Sequence, residues 1–270
     1  MDFVSRLQNV DRRIIYILLI LVTAVPMISP LNLPLSISPG TTEFFNIVDA
    51  LEPGDTVLFS LDYAPSGAPD VHPIAAAVME HLMDKGVNVV SVSFWDAGPM
   101  FGEQLMRHYE ELGYEYGVHF ANLGFVPGQE TAIKRFGENV GTVSRDFRGN
   151  PVSSLPIMEG IKDTRDFALV IDFVAGNPGI QEWVRQVQGS LGITLLAGSS
   201  TVNVPQTMPF VDSGQVKAML AGLRGAAEYE LVMGKPGASV AKMDAQSLGH
   251  IVIILFIVVG NIAFFLDKKR

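Results

Sequence analysis

A stretch of 20 residues near the end of this 270-residue chain, 247–266, carries no Asp, Glu, Lys or Arg. As a helix it would be about 30 Å long, which matches the hydrocarbon core of a bilayer. Residues 267–270, which include three consecutive cationic side chains, follow it directly. Because cationic flanks stay on the cytoplasmic side of a membrane, the pattern predicts a transmembrane helix whose C-terminal end, 267–270, is cytoplasmic.

A second apolar segment, 14–31, follows Arg12 and Arg13 near the other end of the chain. Its cationic flank predicts a transmembrane helix with residues 1–13 in the cytoplasm, so that the middle of a multi-pass chain in the cell membrane lies outside. A cationic start and a short apolar stretch also fit a cleavable signal peptide. The apolar character continues to Leu31, which favours a retained anchor.

The part between the two apolar ends is acidic. Residues 33–246 hold 13 Lys and Arg against 25 Asp and Glu, a net charge of −12. Such a surface repels phosphate backbones, so we do not expect nucleic acid as a partner. The chain has no cysteine, which excludes disulfides, thiolate nucleophiles and cysteine-ligated metals.

Short β-branched runs alternate with longer amphipathic segments in this middle part. The predicted strands are 55–63, 88–95, 118–124, 167–175 and 193–198, and the predicted helices are 72–85, 99–112, 129–143, 179–191 and 213–233. Near-continuous apolar strands alternating with helices are typical of parallel sheets. We therefore predict an α/β fold, a doubly wound, mostly parallel five-stranded sheet in a Rossmann-like three-layer sandwich. It would form an extracytoplasmic domain at 54–234, joined by linkers 32–53 and 235–246 to the two transmembrane helices.

Polar residues mark the carboxyl ends of the predicted strands, where ligands bind in sheets of this class. The resulting ligand-binding candidates are Asp62, Tyr63, Trp95, Asp96, Asn122, Asp172, Asn177, Ser199 and Ser200. Residues 199–212 form a long, hydroxyl-rich candidate lid. The alternative interpretation is that these residues cap the helices that follow the strands.

Metal and cofactor binding receive little support from the sequence. Asp62, Asp96 and Asp172 could supply oxygen ligands to a hard cation, but their spacing follows strand order and not a compact metal loop. The histidines show no paired metal-ligand spacing, and no phosphate-binding glycine motif occurs. We predict neither a metal nor a cofactor.

One serine and lysine pair could support nucleophilic catalysis. Ser213 and Lys217 are four residues apart in the last predicted helix, 213–233, and would share one helix face. Such a dyad would resemble membrane-bound peptidases. The alternative is that Asp212 and Ser213 form an ordinary helix N-cap.

Small residues recur in that same predicted helix. Ala218, Gly222, Gly225 and Ala226 would leave a flat groove that another element can approach closely. Packing inside the domain and an interface between subunits both explain the pattern. In the C-terminal apolar segment, Asn261 is a candidate for a hydrogen bond between membrane helices, the alternative being a tolerated polar residue.

These observations predict a membrane-anchored extracytoplasmic α/β module that binds a partner or ligand. Its expected partners are the lipid bilayer and either a second copy or other membrane proteins in a membrane complex. The alternative is a membrane-bound hydrolase that uses the strand-end acids or Ser213 with Lys217. No residue is assigned as catalytic, because a fold of this class does not determine a reaction.

Overall fold

A computed structural model describes residues 11–267, which belong to two compact units. One unit comprises Ser36–Lys235, and the other combines the two ends of the chain, up to Leu35 and from Pro236 onward.

A six-stranded parallel sheet, in the order β3-β2-β1-β4-β5-β6, forms the centre of the Ser36–Lys235 unit. Its strands are β1 (Thr56–Asp62), β2 (Asn88–Ser93), β3 (Phe120–Phe125), β4 (Leu169–Val174), β5 (Leu195–Ser199) and β6 (Met219–Ala221). The expected Rossmann-like α/β fold with a parallel sheet is thus confirmed. The expected number of five strands is wrong, because β6 extends the sheet beyond β5.

Helices connect successive strands, as parallel pairing requires, and further helices lie before the first strand and after the last. They are α1 (Arg12–Ile28), α2 (Pro39–Asp49), α3 (Ala68–Asp84), α4 (Gly98–Glu111), α5 (Gln129–Glu138), α6 (Ile180–Trp183), α7 (Gly189–Leu191), α8 (Val204–Asp212), α9 (Gly222–Val232) and α10 (Ala238–Asp267). A π-helical turn, Val184–Gln188, joins α6 to α7.

The sheet has a buried apolar layer on each face. Successive side chains of a strand point to opposite faces, so Phe59 of β1 packs with Phe173 of β4 in one layer, at a ring distance of 4.8 Å. Trp183 of α6 packs with Phe94 in the other layer, at 5.8 Å. Near-continuous burial along β1 and β4 follows from this two-sided covering.

Residues 213–233 do not form the single helix that the sequence predicted. Helix α8 ends at Asp212, a connection follows, and β6 precedes α9. A strand of three residues holds little more than one repeat of the two-residue period, so sequence periodicity could not reveal it.

The predicted linker 32–53 contains helix α2. Ser38 caps this helix by accepting a hydrogen bond from the Thr41 amide, and Pro39 occupies its first position. Phe44 and Val48 of α2 are fully buried in the core of the sheet unit. Because of this packing, the unit begins at Ser36, earlier than the predicted 54.

In the other unit, α1 and α10 pack against each other. Within residues 11–267, the stretch Ala238–Phe265 of α10 is the one helix that is long and apolar enough to cross a membrane. Helix α1 has 17 residues, about 26 Å, which is short of a bilayer core of about 30 Å. The sequence predicted two such helices, and the described residues contain one. Most of the predicted linker 235–246 is helical, because α10 begins at Ala238.

A buried aspartate holds the backbone that follows α1. Asp244 of α10 accepts hydrogen bonds from the amides of Leu31 and Asn32, both at 2.9 Å, and of Leu33, at 3.1 Å. Asn32 has φ 51°, and this left-handed residue lets successive amides converge on one anion. Asn261, the candidate for pairing between helices, donates its side-chain amide to the Ile257 carbonyl of its own helix, at 2.8 Å.

Candidate functional site

The sheet reverses its strand order between β1 and β4, and crevices for ligands form at this point, beyond the carboxyl ends of the strands. Asp62 ends β1 and Asn177 lies in the loop after β4. Trp95, from the loop after β2, donates its indole N–H to the Pro178 carbonyl at 2.9 Å. The structure therefore brings loops from three strands together, as the sequence predicted for this edge.

The crevice itself is closed. A Cβ atom on Gly176 would lie 2.8 Å from the Trp95 ring, so the ring covers the glycine directly. The remaining gap between this loop and α8 has a volume of about 10 Å³, the size of about one water molecule. The predicted ligand-binding residues at this edge therefore surround a space that protein atoms already fill.

The predicted ligand-binding residues divide by exposure. Asp96 and Asn177 are exposed, and Trp95 is partly exposed. The others are at most 1% exposed: Asp62, Tyr63, Asn122, Asp172, Ser199 and Ser200. Most of these buried groups already have partners in the protein, and none of them contacts an open cavity among those described.

Asn122 and Ser199 illustrate this internal pairing. The Asn122 amide donates to the Pro99 carbonyl at 2.9 Å and to Glu103 at 3.0 Å, and its oxygen accepts the Gly124 amide at 3.1 Å. Ser199 donates to the backbone carbonyl of Ser200 at 3.2 Å. Asn122 thus joins β3 to α4, and Ser199 bonds the backbone at the end of β5, while their ligand-binding role stays a prediction.

Asp62 and Asp172 form a buried pair of acids on one face of the sheet. Asp62 accepts a hydrogen bond from Ser60 at 2.5 Å and one from the Phe94 amide at 2.7 Å. No N–H or O–H group of residues 11–267 donates to Asp172, whose neighbour is the carboxyl group of Asp62. Two carboxyl groups can hydrogen-bond to each other only when one of them holds a proton. A direct hydrogen bond between these two acids would therefore require a proton on one of them.

Burial and mutual repulsion govern the ionisation of this pair. Burial raises the pKa of Asp62 to about 6, although its hydrogen bonds oppose the shift. Burial and then the charge of Asp62 raise the pKa of Asp172 well above its usual value. Asp96, the third predicted acid, is exposed. Among the described residues no group of three His, Asp or Glu side chains is placed to hold a metal.

The predicted Ser213 and Lys217 pair does not share a helix face. Both residues are exposed in the connection between α8 and β6. The Ser213 hydroxyl donates to the Phe210 carbonyl at 3.1 Å and contacts the Gln215 side chain at the same distance. The helical geometry on which the dyad depended is therefore wrong, and so is the N-cap alternative, since Ser213 follows the end of α8.

The four small residues of the predicted interface lie at different places in the sheet unit. Ala218 and Ala226 are buried in the core. A Cβ atom on Gly225 would lie 3.0 Å from the Leu220 backbone, and one on Gly222 would lie 2.2 Å from the Thr201 hydroxyl. Packing within the unit accounts for all four small side chains, and a role between subunits stays a prediction.

An open groove lies along the outer edge of the sheet, beside β6. It has a volume of about 530 Å³. Residues of α8, β6, α9 and the beginning of α2 line it: Ser38, Gly40, Thr41, Val204, Met208, Val211, Met219, Ala221, Arg224, Gly225 and Glu228. We call it the β6-edge groove. Gly225 was a predicted interface residue, and Val204, Met208 and Val211 lie in the predicted lid 199–212; the other lining residues were not among the predicted site residues.

A charged network forms one side of the β6-edge groove. Glu228, 2% exposed, accepts the Ser38 amide at 2.9 Å, the Thr41 hydroxyl at 2.7 Å and the Arg224 guanidinium at 2.7 Å. Burial acts to raise the pKa of Glu228, but these hydrogen bonds outweigh it and hold the pKa below its usual value. The carboxylate is therefore ionised and internally neutralised.

One signal in the sequence pointed toward this groove without identifying it. The segment 204–211 carries Val, Met and Phe between polar residues and prolines, an apolar content that a solvated lid does not need. Met208 is in fact 40% exposed. The groove nevertheless depends on β6 and α2, and sequence periodicity missed the first and assigned the second to a linker.

No protein family model, no curated protein and no solved structure matches this chain. Its function has to be argued from its own geometry.

Proposed function

We propose that this chain is a membrane-anchored α/β binding module whose ligand occupies the β6-edge groove. The groove is the observation that carries the proposal. Pockets of 300–1,000 Å³ with apolar walls and a few convergent polar groups are typical small-molecule sites. The β6-edge groove has this size and this composition, with the Arg224 and Glu228 pair as the polar element.

The anchor in this proposal is a pair of transmembrane helices with both chain ends in the cytoplasm and the sheet unit outside. The apolar stretch of α10, the packing of α1 on α10 and the cationic residues at both ends of the sequence support it. Assembly with a second copy or with other membrane proteins stays a prediction. The hydrolase alternative gains nothing from the closed strand-end crevice or from the connection that holds Ser213.

Native mass spectrometry of the full chain, extracted gently from its own membranes, tests the binding function. We expect the wild type to retain a non-covalently bound molecule and Met208→Trp, which fills the groove from an exposed helix position, to lose it. Lys134→Trp, on the exposed side of α5, is the matched control and should retain it. A bare wild-type chain, or equal retention in all three proteins, would contradict the proposal.

A further inference from the structure

The occupant of the β6-edge groove can be specified further, on the condition that the proposed binding function is correct. We propose that the groove holds the acyl chain of a fatty acid, with the carboxylate at Arg224.

The walls of the groove favour an acyl chain. Val204, Met208 and Val211 of α8 face the groove together with Met219 and Ala221 of β6. These side chains are aliphatic or thioether, and no aromatic ring is among the lining residues. Flexible methionines adapt to an unbranched chain, whereas a site for a planar ring would be expected to offer an aromatic surface for stacking.

The polar end of the groove favours an anionic head group. Arg224 donates through Nε to Glu228 at 2.7 Å and through Nη2 to Ser36 at 3.3 Å. Its side chain is 57% exposed, and the hydrogen bonds made by the described residues leave Nη1 for a ligand. Ser38 and Thr41 also donate to Glu228, so Arg224 is one of three donors to that carboxylate, and its Nη1 group can donate a charge-assisted hydrogen bond to the carboxylate of a ligand.

An extended peptide is the competing occupant, because β6 is the edge strand of the sheet. Two features of this edge work against strand addition. β6 has only three residues. The beginning of α2 also covers it, since a Cβ atom on Gly40 would lie 3.6 Å from the Met219 carbonyl oxygen. An acyl chain needs no backbone hydrogen bonds and is not affected by either feature.

The membrane helix explains where such a ligand would come from. Fatty acids partition into bilayers, and Ala238–Phe265 is long and apolar enough to hold the chain in one.

The absence of cysteine from the chain permits a direct test. Asp212→Cys, at an exposed position that follows the lining residue Val211 and does not itself line the groove, is labelled with an environment-sensitive thiol fluorophore in the full chain, reconstituted in lipid nanodiscs, and titrated with oleic acid and with oleyl alcohol. We expect a saturable change of emission with oleic acid. Lys134→Cys, labelled in the same way on α5, reports partition into the bilayer alone and should not change saturably.

Replacement of Arg224 tests the head group. In the Asp212→Cys background, Arg224→Gln should weaken oleic acid binding about tenfold and leave oleyl alcohol binding unchanged, whereas Arg224→Lys should retain part of the preference for the acid. Ser213→Cys, also exposed and outside the lining, provides a second label position if Asp212→Cys does not fold.

Three results would overturn the inference. Oleic acid could fail to change the emission at either groove label, even where mass spectrometry finds another molecule bound, and the binding function would then stand without the fatty acid. Equal changes at groove and control labels would indicate bilayer partition only. Equal affinities for acid and alcohol, insensitive to Arg224→Gln, would exclude the carboxylate site.

Discussion

The sheet unit contains two carboxyl groups that have no access to water. Asp62 and Asp172 are both fully buried, and isolated buried charges are costly. Ser60 connects the pair to α6, because it donates to Asp62 and accepts the Trp183 indole N–H at 3.2 Å. Hydrogen bonds thus link the pair to a helix that packs on the sheet.

This pair should make the protein less stable as pH rises. Between about pH 4 and pH 6 the unfolded Asp62 loses its proton while the folded residue, with its pKa near 6, retains it. The unfolded state then binds fewer protons, so the free energy of unfolding falls through this window. The raised pKa of Asp172 extends the fall to higher pH.

Asp172→Asn tests this prediction, because an amide donates to Asp62 without a titratable proton. We expect the variant to be more stable than the wild type at pH 8, by about 1–3 kcal/mol, and to lose this advantage at pH 4. Urea unfolding followed by tryptophan fluorescence measures the difference. Asp96→Asn removes an exposed carboxylate and serves as the control. A variant less stable than the wild type at pH 8 would contradict the raised pKa values of the pair.

Gly222 illustrates how a residue predicted for an interface has a local role. It has φ +55°, and a Cβ atom there would lie 2.2 Å from the Thr201 hydroxyl and 2.6 Å from Asp70 Oδ1. Asp70 also accepts the amides of Thr201 at 2.6 Å and Leu223 at 3.1 Å. The lack of a side chain at Gly222 therefore leaves room for the Asp70 carboxylate, which binds the backbone after β5 and the first turn of α9.

Gly222→Ala should destabilise the sheet unit by about 2–4 kcal/mol, because backbone strain and a steric clash add. Gly214→Ala separates the two effects. Gly214 also has a positive φ, +75°, but nothing lies within 4 Å of its Cβ position, so about 1 kcal/mol of strain is expected. Chemical unfolding of both variants provides the comparison, and equal losses would show that the contacts of Gly222 contribute nothing.

At the scale of elements, the edge of the core and the β6-edge groove depend on short or amphipathic segments more than on the long strands. Helix α2 packs Phe44 and Val48 into the core, and β6 provides the edge on which the groove is built. In the other unit, Asp244 connects α10 to the backbone after α1 through three amides. This carboxylate therefore joins α10 to the turn that follows α1.

Asp244→Ala should release the turn after α1. Hydrogen bonds from amides to a charged acceptor contribute about 1.5–3 kcal/mol each, so the amides of Leu31, Asn32 and Leu33 should exchange with solvent at least tenfold faster. Hydrogen exchange with mass spectrometry on the full chain measures the rate. Asp244→Asn keeps one acceptor oxygen and should have an intermediate effect. Unchanged exchange in Asp244→Ala would show that the turn is held by other contacts.

At the scale of the whole molecule, the proposed membrane anchoring is compatible with two arrangements, because α1 is short. If α1 and α10 both cross, the two ends of the chain share one side. If α10 alone crosses, the N-terminus lies on the side of the sheet unit. The 17 residues of α1 are at the lower limit for a membrane span, so an experiment on intact cells has to separate the arrangements.

Single cysteines at Ser5, Ser190 and Lys269, introduced one at a time, separate them. We expect a membrane-impermeant maleimide to label Ser190→Cys on intact cells and to label Lys269→Cys only after permeabilisation, because the cationic end stays in the cytoplasm. With two spans, Ser5→Cys behaves like Lys269→Cys. Labelling of Ser5→Cys on intact cells would show that α10 crosses alone, and labelling of Lys269→Cys there would reverse the proposed orientation.

The sequence by itself determined the class of fold and the C-terminal apolar helix. Apolar runs as long as β1 and β4 and a charge-free stretch of 20 residues are local patterns, and local patterns fix local structure. The polar residues at the strand ends were predicted to be there, and they do lie at or near the carboxyl edge of the sheet.

Only the tertiary structure decided what those residues do. Whether Asp62 and Asp172 face a ligand or each other depends on the register of β1 and β4, in which Ser60 lies opposite Asp172, and on Trp183 from a distant helix. The β6-edge groove likewise joins residues from 38 to 228, and such a space exists only after distant elements pack. A spacing along the chain cannot encode it, because a cavity is a property of surfaces that meet and not of any one segment.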